Sequence, residues 1–451
     1  MLEWELDLSV FDLLLPPIYI FIAWIIANFI KKKNIAAHPE YTYFIYGLFA
    51  KITGAIALGL IYYFYYDGGD TTGYFQSARA YVNLFFKNQA DFFDGWLGSI
   101  KDIDYYYFDD STGYPIYRHR DLHTFFVVRL LVPIVALSFK SYFASAVLTA
   151  CVTFGGLWKL YQTFLQEFPN LKKELAIAVL FIPSCIFWGS GLSKDSFTLS
   201  AVGWFTYSFY HFFIKKERKI IYAIEVFISA FIIITIKPYI FFALLPGAII
   251  WLSEYRLSKI RNKILRALAA PLFLLLSVGL GFFVLSQMGD YLGVYALDKV
   301  MDKAVESNFD QKQAYYNGHS FDIGNLDAKS PLSMLSKTHL ALAATLFRPY
   351  LWDVKNVVML LSALENTYIM LLTFFLLTRL KFFGFFSLIG KNPLLLFSIL
   401  FSLFFAFSVG LATSNFGSLV RLKIPCIPFF LASLFVLRDL YEKKTNKKLG
   451  F

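Results

Sequence analysis

Apolar residues gather in long runs separated by short polar loops, most of them basic. A helix needs roughly 20 apolar residues to cross the hydrocarbon core of a bilayer, fewer where protein covers part of it. On that measure the pattern predicts about eleven spans, near residues 14–30, 43–66, 142–165, 175–190, 197–214, 220–236, 239–252, 267–287, 356–378, 394–413 and 422–438. The stretch 124–140 is also apolar but carries Arg129 and Pro133. It reads as a short span, a re-entrant helix or an interfacial one.

Two long segments interrupt the spans, 67–123 and 288–355. In the first, Tyr74, Ala78, Tyr81, Val82 and Phe85 follow helical spacing, with Gln76, Arg79, Asn83 and Lys87 elsewhere on the wheel. A helix of that kind lies in a membrane interface. The second segment starts polar and ends in a more apolar helix at 332–348. There is no internal repeat, no Gly/Ser linker and no separate soluble stretch. The expected fold is all-α, a single integral membrane domain over 1–451: a polytopic helix bundle with juxtamembrane amphipathic helices in two extracytoplasmic loops.

Composition narrows the class. Of 451 residues, 58% are apolar and 16% charged, against about 25% charged in ordinary soluble domains. Aromatic residues reach 20%, which suits long membrane interfaces. Cys151, Cys185 and Cys426 lie in apolar runs without metal-ligand spacing, so neither a disulfide framework nor a zinc motif is expected. The net charge of +11 is spread over short loops, which argues against a nucleic-acid partner and for topology. If 124–140 does not cross, Lys31–Lys33, Lys172/Lys173, Lys215–Lys219, Arg256–Arg266, Arg379/Lys381/Lys391 and Arg438–Lys448 share one side. Basic loops belong in the cytoplasm, which puts the N-terminus outside and the C-terminus inside. Glu3, Glu5, Asp7 and Asp12 stand where a signal peptide would be basic.

Sidedness also organises the polar residues at span ends. Asp67 and Asp70 close the second span, Lys194 and Asp195 join the fourth and fifth, and Lys237 joins the sixth and seventh. Arg348 precedes the ninth span, and Asn415 and Arg421 join the last two. All of these fall on the outer side. A charge at the bilayer centre costs about 3 kcal/mol on insertion scales, so charges kept at span ends tend to have partners or a polar cavity. Each has a plainer reading as well. Asp70 could be a helix N-cap, Asp67-Gly-Gly-Asp70 a turn, and Asp195 the cap of the fifth span. Lys237 could be an interfacial anchor, and Arg348 and Arg421 snorkelling side chains. Glu365 falls inside the ninth span, Lys51 in the second and Lys159 in the third. An intramembrane carboxylate is either functional or one half of a buried structural pair. His119 and His123 flank Arg118, Arg120 and Asp121; two His at i, i+4 could bind metal on a helix, but no third ligand is evident. No nucleotide-binding loop or serine elbow is present.

A donor whose leaving group is a lipid-linked phosphate needs cations at the phosphate and a carboxylate near the acceptor hydroxyl. Arg offers phosphate a bidentate fork and Lys a point charge. The outer-side residues meet those needs. The sequence resembles polytopic bacterial membrane glycosyltransferases of the GT-C superfamily, in their smaller form without a large soluble domain. The resemblance rests on Asp67, Asp70 and Tyr74 opening the first outer loop and on PSCIFWGSGLSKDSF (183–197). Lys237-Pro238-Tyr239, LFRPYLWD (346–353) with ALEN behind it, and NFGSLVRLKIPCIPF (415–429) complete it. It implies transfer of a sugar from a polyprenyl-phosphate donor to a lipid-linked or surface glycan at the outer face of the bacterial cytoplasmic membrane. Asp70 or Asp67 would then be the acceptor-side base, or the ligand of a divalent metal ion. Lys194, Lys237, Arg348 and Arg421 would be phosphate contacts, with Tyr74, Asp195, Glu365 and Asn415 also at the substrate. In the family the acidic motif follows the first span; here it follows the second, which an added N-terminal span or a different fold would explain. Two other readings stay open. One is an O-antigen-type polymerase or ligase working through Arg118, His119, Arg120 and His123. The other is a transporter or assembly subunit using Glu365, Lys51 and Lys159.

Overall fold

The computed structural model describes residues 8–98, 106–117, 121–217, 219–257, 299–312, 320–324, 326–327, 330–390 and 392–446. The predicted span 267–287 and the candidates Arg118 and His119, with Arg120, lie outside the described residues. Those described are helical, with a single isolated bridge between Ser320 and Asn415 and no strand.

Six helices are long and apolar enough to cross a membrane: Val10–Asn34, Pro39–Tyr65, Tyr142–Glu167, Pro238–Leu257, Met359–Lys381 and Pro393–Ala412. A seventh results if Phe416–Leu422 and Ile427–Thr445, bent by 68°, count as one broken span. This chain is a membrane protein. The six coincide with predicted runs; among the described residues the other predicted runs form shorter or broken helices. The 175–190 run divides into Lys172–Leu180 and Pro183–Trp188, because the residue before a proline is pushed out of the α region. The 197–214 run forms Lys194–Phe209 and then a π-turn, Tyr210–Ile214. Leu122–Leu137 and Ile220–Ile236 are apolar helices of 16 and 17 residues.

The chain divides into two compact units. The first comprises 1–160, 185–204 and 228–237; the second comprises 161–184, 205–227 and 238–451. In the first we label α1 (Val10–Asn34), α2 (Phe44–Leu60), α3 (Asp70–Lys87), α4 (Gln89–Leu97), α5 (Leu122–Leu137) and α6 (Tyr142–Glu167). The labels continue with α7 (Lys172–Leu180), α8 (Pro183–Trp188), α9 (Lys194–Phe209) and α10 (Ile220–Ile236).

α1 turns the soluble pattern inside out. Phe11, Leu13, Phe21, Trp24, Ile26 and Phe29 are exposed, while Asp12, Ala23 and Ala27 are buried. Large residues facing lipid and small ones facing protein are expected where water is absent. The Asp12 carboxylate accepts from the Ser141 hydroxyl (2.8 Å) and the Tyr142 N–H (2.6 Å), so it caps the start of α6 from another helix. α6 and α9 touch backbone to backbone: a Cβ on Gly156 would lie 2.0 Å from the Ser200 carbonyl oxygen. α3 forms over the predicted positions and packs against α5. It buries Tyr74, Ala78, Tyr81 and Val82, and polar Gln76 and Ser77 with them.

In the second unit, Pro393–Ala412 is the central helix. It packs against Pro238–Leu257, Thr338–Phe347, Val300–Asp310 and Ile427–Thr445. Trp251, Phe397, Phe401 and Phe429 form its aromatic core.

Candidate functional site

The first unit builds its site from the end of α2. That helix closes in a π-turn, Ile61–Tyr65, a form often found at functional positions. Asp67, Gly68 and Gly69 then take positive φ of 53°, 111° and 133°. Gly69 is needed twice over. Its φ disfavours a side chain, and a Cβ would come within 2.9 Å of the Tyr62 ring. Gly69 is the N-cap of α3, with the Thr72 hydroxyl bonded to both its N–H and its carbonyl at 3.0 Å. Asp70 is therefore not the cap. Its carboxylate accepts from the Tyr117 hydroxyl at 3.0 Å. Tyr117 is held in turn by Ser77 (2.9 Å to its N–H) and by the Tyr74 ring at 4.7 Å. Asp67 is exposed.

The cations come from α9 and the link after α10. Lys194, the first residue of α9, pairs with Asp121 at 3.3 Å. Asp121 is the N-cap of α5 and also accepts from the His123 N–H (3.0 Å) and the Thr124 hydroxyl. Asp195 pairs with Lys237, and both side chains are buried, 0% and 8% exposed. The His123 ring bonds the Thr235 carbonyl through Nδ1 at 2.6 Å, so that nitrogen carries a proton. α5, α9 and α10 are thus tied by charge and hydrogen bonds within one unit. Behind them Lys51 donates to the Gly189 carbonyl, and Ser196 to Gly191 at 2.6 Å, fixing the turn that presents Lys194.

The electrostatics follow from this packing. Burial pushes the Lys194 ammonium below the usual lysine range; Asp121 and, more weakly, Asp70 oppose that, while Lys237 adds to it. Burial would raise the Asp121 carboxyl, but Lys194 and Thr124 outweigh it and hold the group below the ordinary carboxylate value.

The second unit has its own polar set. The Arg348 guanidinium lies 5.3–5.8 Å from the rings of Phe321, Tyr350 and Phe416 and 3.8 Å from Asp353. Asn415 caps Phe416–Leu422 through Ser418, with Arg421 in the last turn of the same short helix. Glu365 accepts from the Ser184 N–H (2.8 Å) and hydroxyl (2.7 Å). Lys423, buried at the bend after Leu422, donates to Asn366 (2.6 Å) and to the Arg348 carbonyl (3.0 Å). Glu365 and Lys51 both have buried hydrogen-bond partners, and Lys159 lies over the Trp204 ring at 5.6 Å.

Among the sequence candidates, Asp70, Tyr74, Lys194, Asp195 and Lys237 gather in the first unit; Arg348, Glu365, Asn415 and Arg421 fall in the second. Two contributors, Tyr117 and Lys423, carry no signal of their own in sequence. A third, Asp121, is visible only as one of several charges near His123. No group of three His, Cys, Asp or Glu among the described residues is placed to hold a metal ion. Asp121 and Asp195 are each taken up by a lysine. No protein-family model, curated protein or solved structure matches this chain.

Proposed function

We propose that the protein is a membrane glycosyltransferase of GT-C kind. It moves a sugar from a polyprenyl-phosphate donor to a lipid-linked or cell-surface glycan at the outer face of the bacterial cytoplasmic membrane. The observation that carries this reading is that Asp70 and Lys194 lie in one compact unit, Asp70 held by the Tyr117 hydroxyl and Lys194 by the Asp121 carboxylate. Asp70 takes the proton from the acceptor hydroxyl as that oxygen attacks the anomeric carbon. The bond from that carbon to the phosphate oxygen breaks, and the lipid phosphate leaves with an added negative charge. Lys194 exchanges Asp121 for that phosphate oxygen and stabilises it. Tyr117 orients the base, and the buried Asp195–Lys237 pair sets the start of α9. In this account the remaining predicted spans complete an eleven-span plan, with the N-terminus outside, the C-terminus inside and the first-loop helices at the outer interface.

The experiment is turnover of radiolabelled polyprenyl-phosphate sugars by the purified protein in proteoliposomes supplied with acceptor lipids. We expect label to move to the acceptor, and Asp70→Asn to abolish transfer where His123→Ala does not. Transfer that survives Asp70→Asn but is lost in His123→Ala would favour a polymerase or ligase working through the Arg/His stretch.

A further inference from the structure

The second unit contains a cavity of about 450 Å³ between the ends of Pro393–Ala412 and Val300–Asp310. The Tyr239 ring, Met301, Met334, Phe407, Leu411 and Leu422 supply apolar walls; Lys303, Ser307 and Ser408 add polar groups. An apolar cavity of about 150 Å³ takes up one benzene ring, so this one has room for about three rings' worth of hydrocarbon. Ligand pockets are typically of this size and make-up, largely apolar with a few polar groups that fix one end. Two of its contributors, Pro238–Leu257 and Pro393–Ala412, are helices long and apolar enough to cross a membrane.

The polar groups are not equivalent. The Ser408 hydroxyl is committed to its own helix at Phe404 (3.0 Å). Lys303 gives one bond to Glu306 (3.0 Å) and is 37% exposed, which leaves an ammonium two further donors. Ser307, one turn on, accepts from Gln311 (3.3 Å) and keeps its own hydrogen to donate. The cavity therefore offers an apolar chamber with a cation and a hydroxyl donor on the same helix face.

We propose that this cavity binds the hydrocarbon chain of an anionic single-chain acyl lipid, with the headgroup at Lys303 and Ser307. The volume matches one chain of ordinary acyl length; a long polyprenyl chain would leave most of itself outside. The site is independent of the transfer reaction assigned to the first unit and stands if that assignment fails.

The test is photolabelling of the full chain in phosphatidylcholine nanodiscs with palmitate carrying a mid-chain diazirine. Labelled peptides are mapped, with lipid-exposed α1 as internal reference. We expect label on 301–307 and 407–412 to exceed that on α1 and to fall to the α1 level under excess unlabelled palmitate. Ala304→Phe, which fills the chamber, should do the same. Lys303→Met alters a part-exposed residue whose side-chain bond is the i,i+3 pair with Glu306. It should lower palmitate labelling about three-fold, the scale of a part-exposed charge contact, and leave labelling by the equivalent alcohol unchanged. Labelling equal to α1 that excess palmitate does not compete would overturn the proposal. So would equal effects of Lys303→Met on acid and alcohol, or stronger displacement by an isoprenyl phosphate than by palmitate.

Discussion

Asp195 and Lys237 place two opposite charges out of contact with water. Such a pair loses several kcal/mol of hydration and recovers it only while both partners remain. Asp195→Ala or Lys237→Ala alone is expected to destabilise the folded protein by about 3–5 kcal/mol, and the double change Asp195→Leu/Lys237→Met by much less than the sum. Unfolding curves in detergent check this; additive losses would mean the charges are not coupled. Lys194 makes a pH prediction. Burial lowers its affinity for the proton, so it turns neutral below the ordinary lysine value of 10.5 as pH rises. If the ammonium serves a leaving phosphate, transfer falls on the alkaline side within that range. Lys194→Arg, which stays charged, should carry activity to higher pH even if its maximum is lower. An unchanged alkaline limb would remove Lys194 from the chemistry. Asp121 works at the opposite end: its carboxyl is held below the ordinary value of 3.8, so the pair persists to acid pH and is lost only as pH falls below that value. Asp70, Lys194, Asp195 and Lys237 are legible in sequence because charged residues at the ends of apolar runs are conspicuous. Their pairing is not, since Lys194 meets a residue 73 positions away and Lys237 one 42 positions away. Tyr117 gains its role only from Asp70, and Lys423 from a bend inside what reads as one apolar run.

Among the described elements, six long apolar runs translate directly into helices long enough to cross a membrane, because apolar length alone suffices to specify them. Where packing rather than hydropathy decides, sequence says less. The 175–190 run breaks at Pro183, and the 422–438 run opens in a 68° bend that buries Lys423, its helix starting at Ile427. The 70–87 helix follows the predicted spacing, yet it buries polar positions that a simple amphipathic wheel assigns outward. The α6–α9 contact is the clearest case of packing carried by missing side chains. Gly156→Leu would drive a Cβ to 2.0 Å from the Ser200 carbonyl, and neither backbone can yield without parting the helices. We expect loss of folded protein in detergent, whereas Ala23→Ser on α1, a small change at a helix with mostly exposed neighbours, should be tolerated. Normal yield and melting of Gly156→Leu would contradict the close approach.

The whole molecule is a helical membrane protein with a charged site in its first unit and an apolar chamber in its second. Hydropathy makes the membrane class plain from sequence alone; the assignment of chemistry depends on which charges meet. The most direct measurement is sugar transfer from a radiolabelled polyprenyl-phosphate donor by the wild-type protein and by Asp70→Asn, side by side in proteoliposomes. Asn keeps the shape of Asp70 and can still accept from Tyr117, but it cannot act as a base. We expect transfer by the wild type and a loss of about 100-fold or more in a folded Asp70→Asn variant. Equal transfer by the two proteins would contradict the proposed role of Asp70.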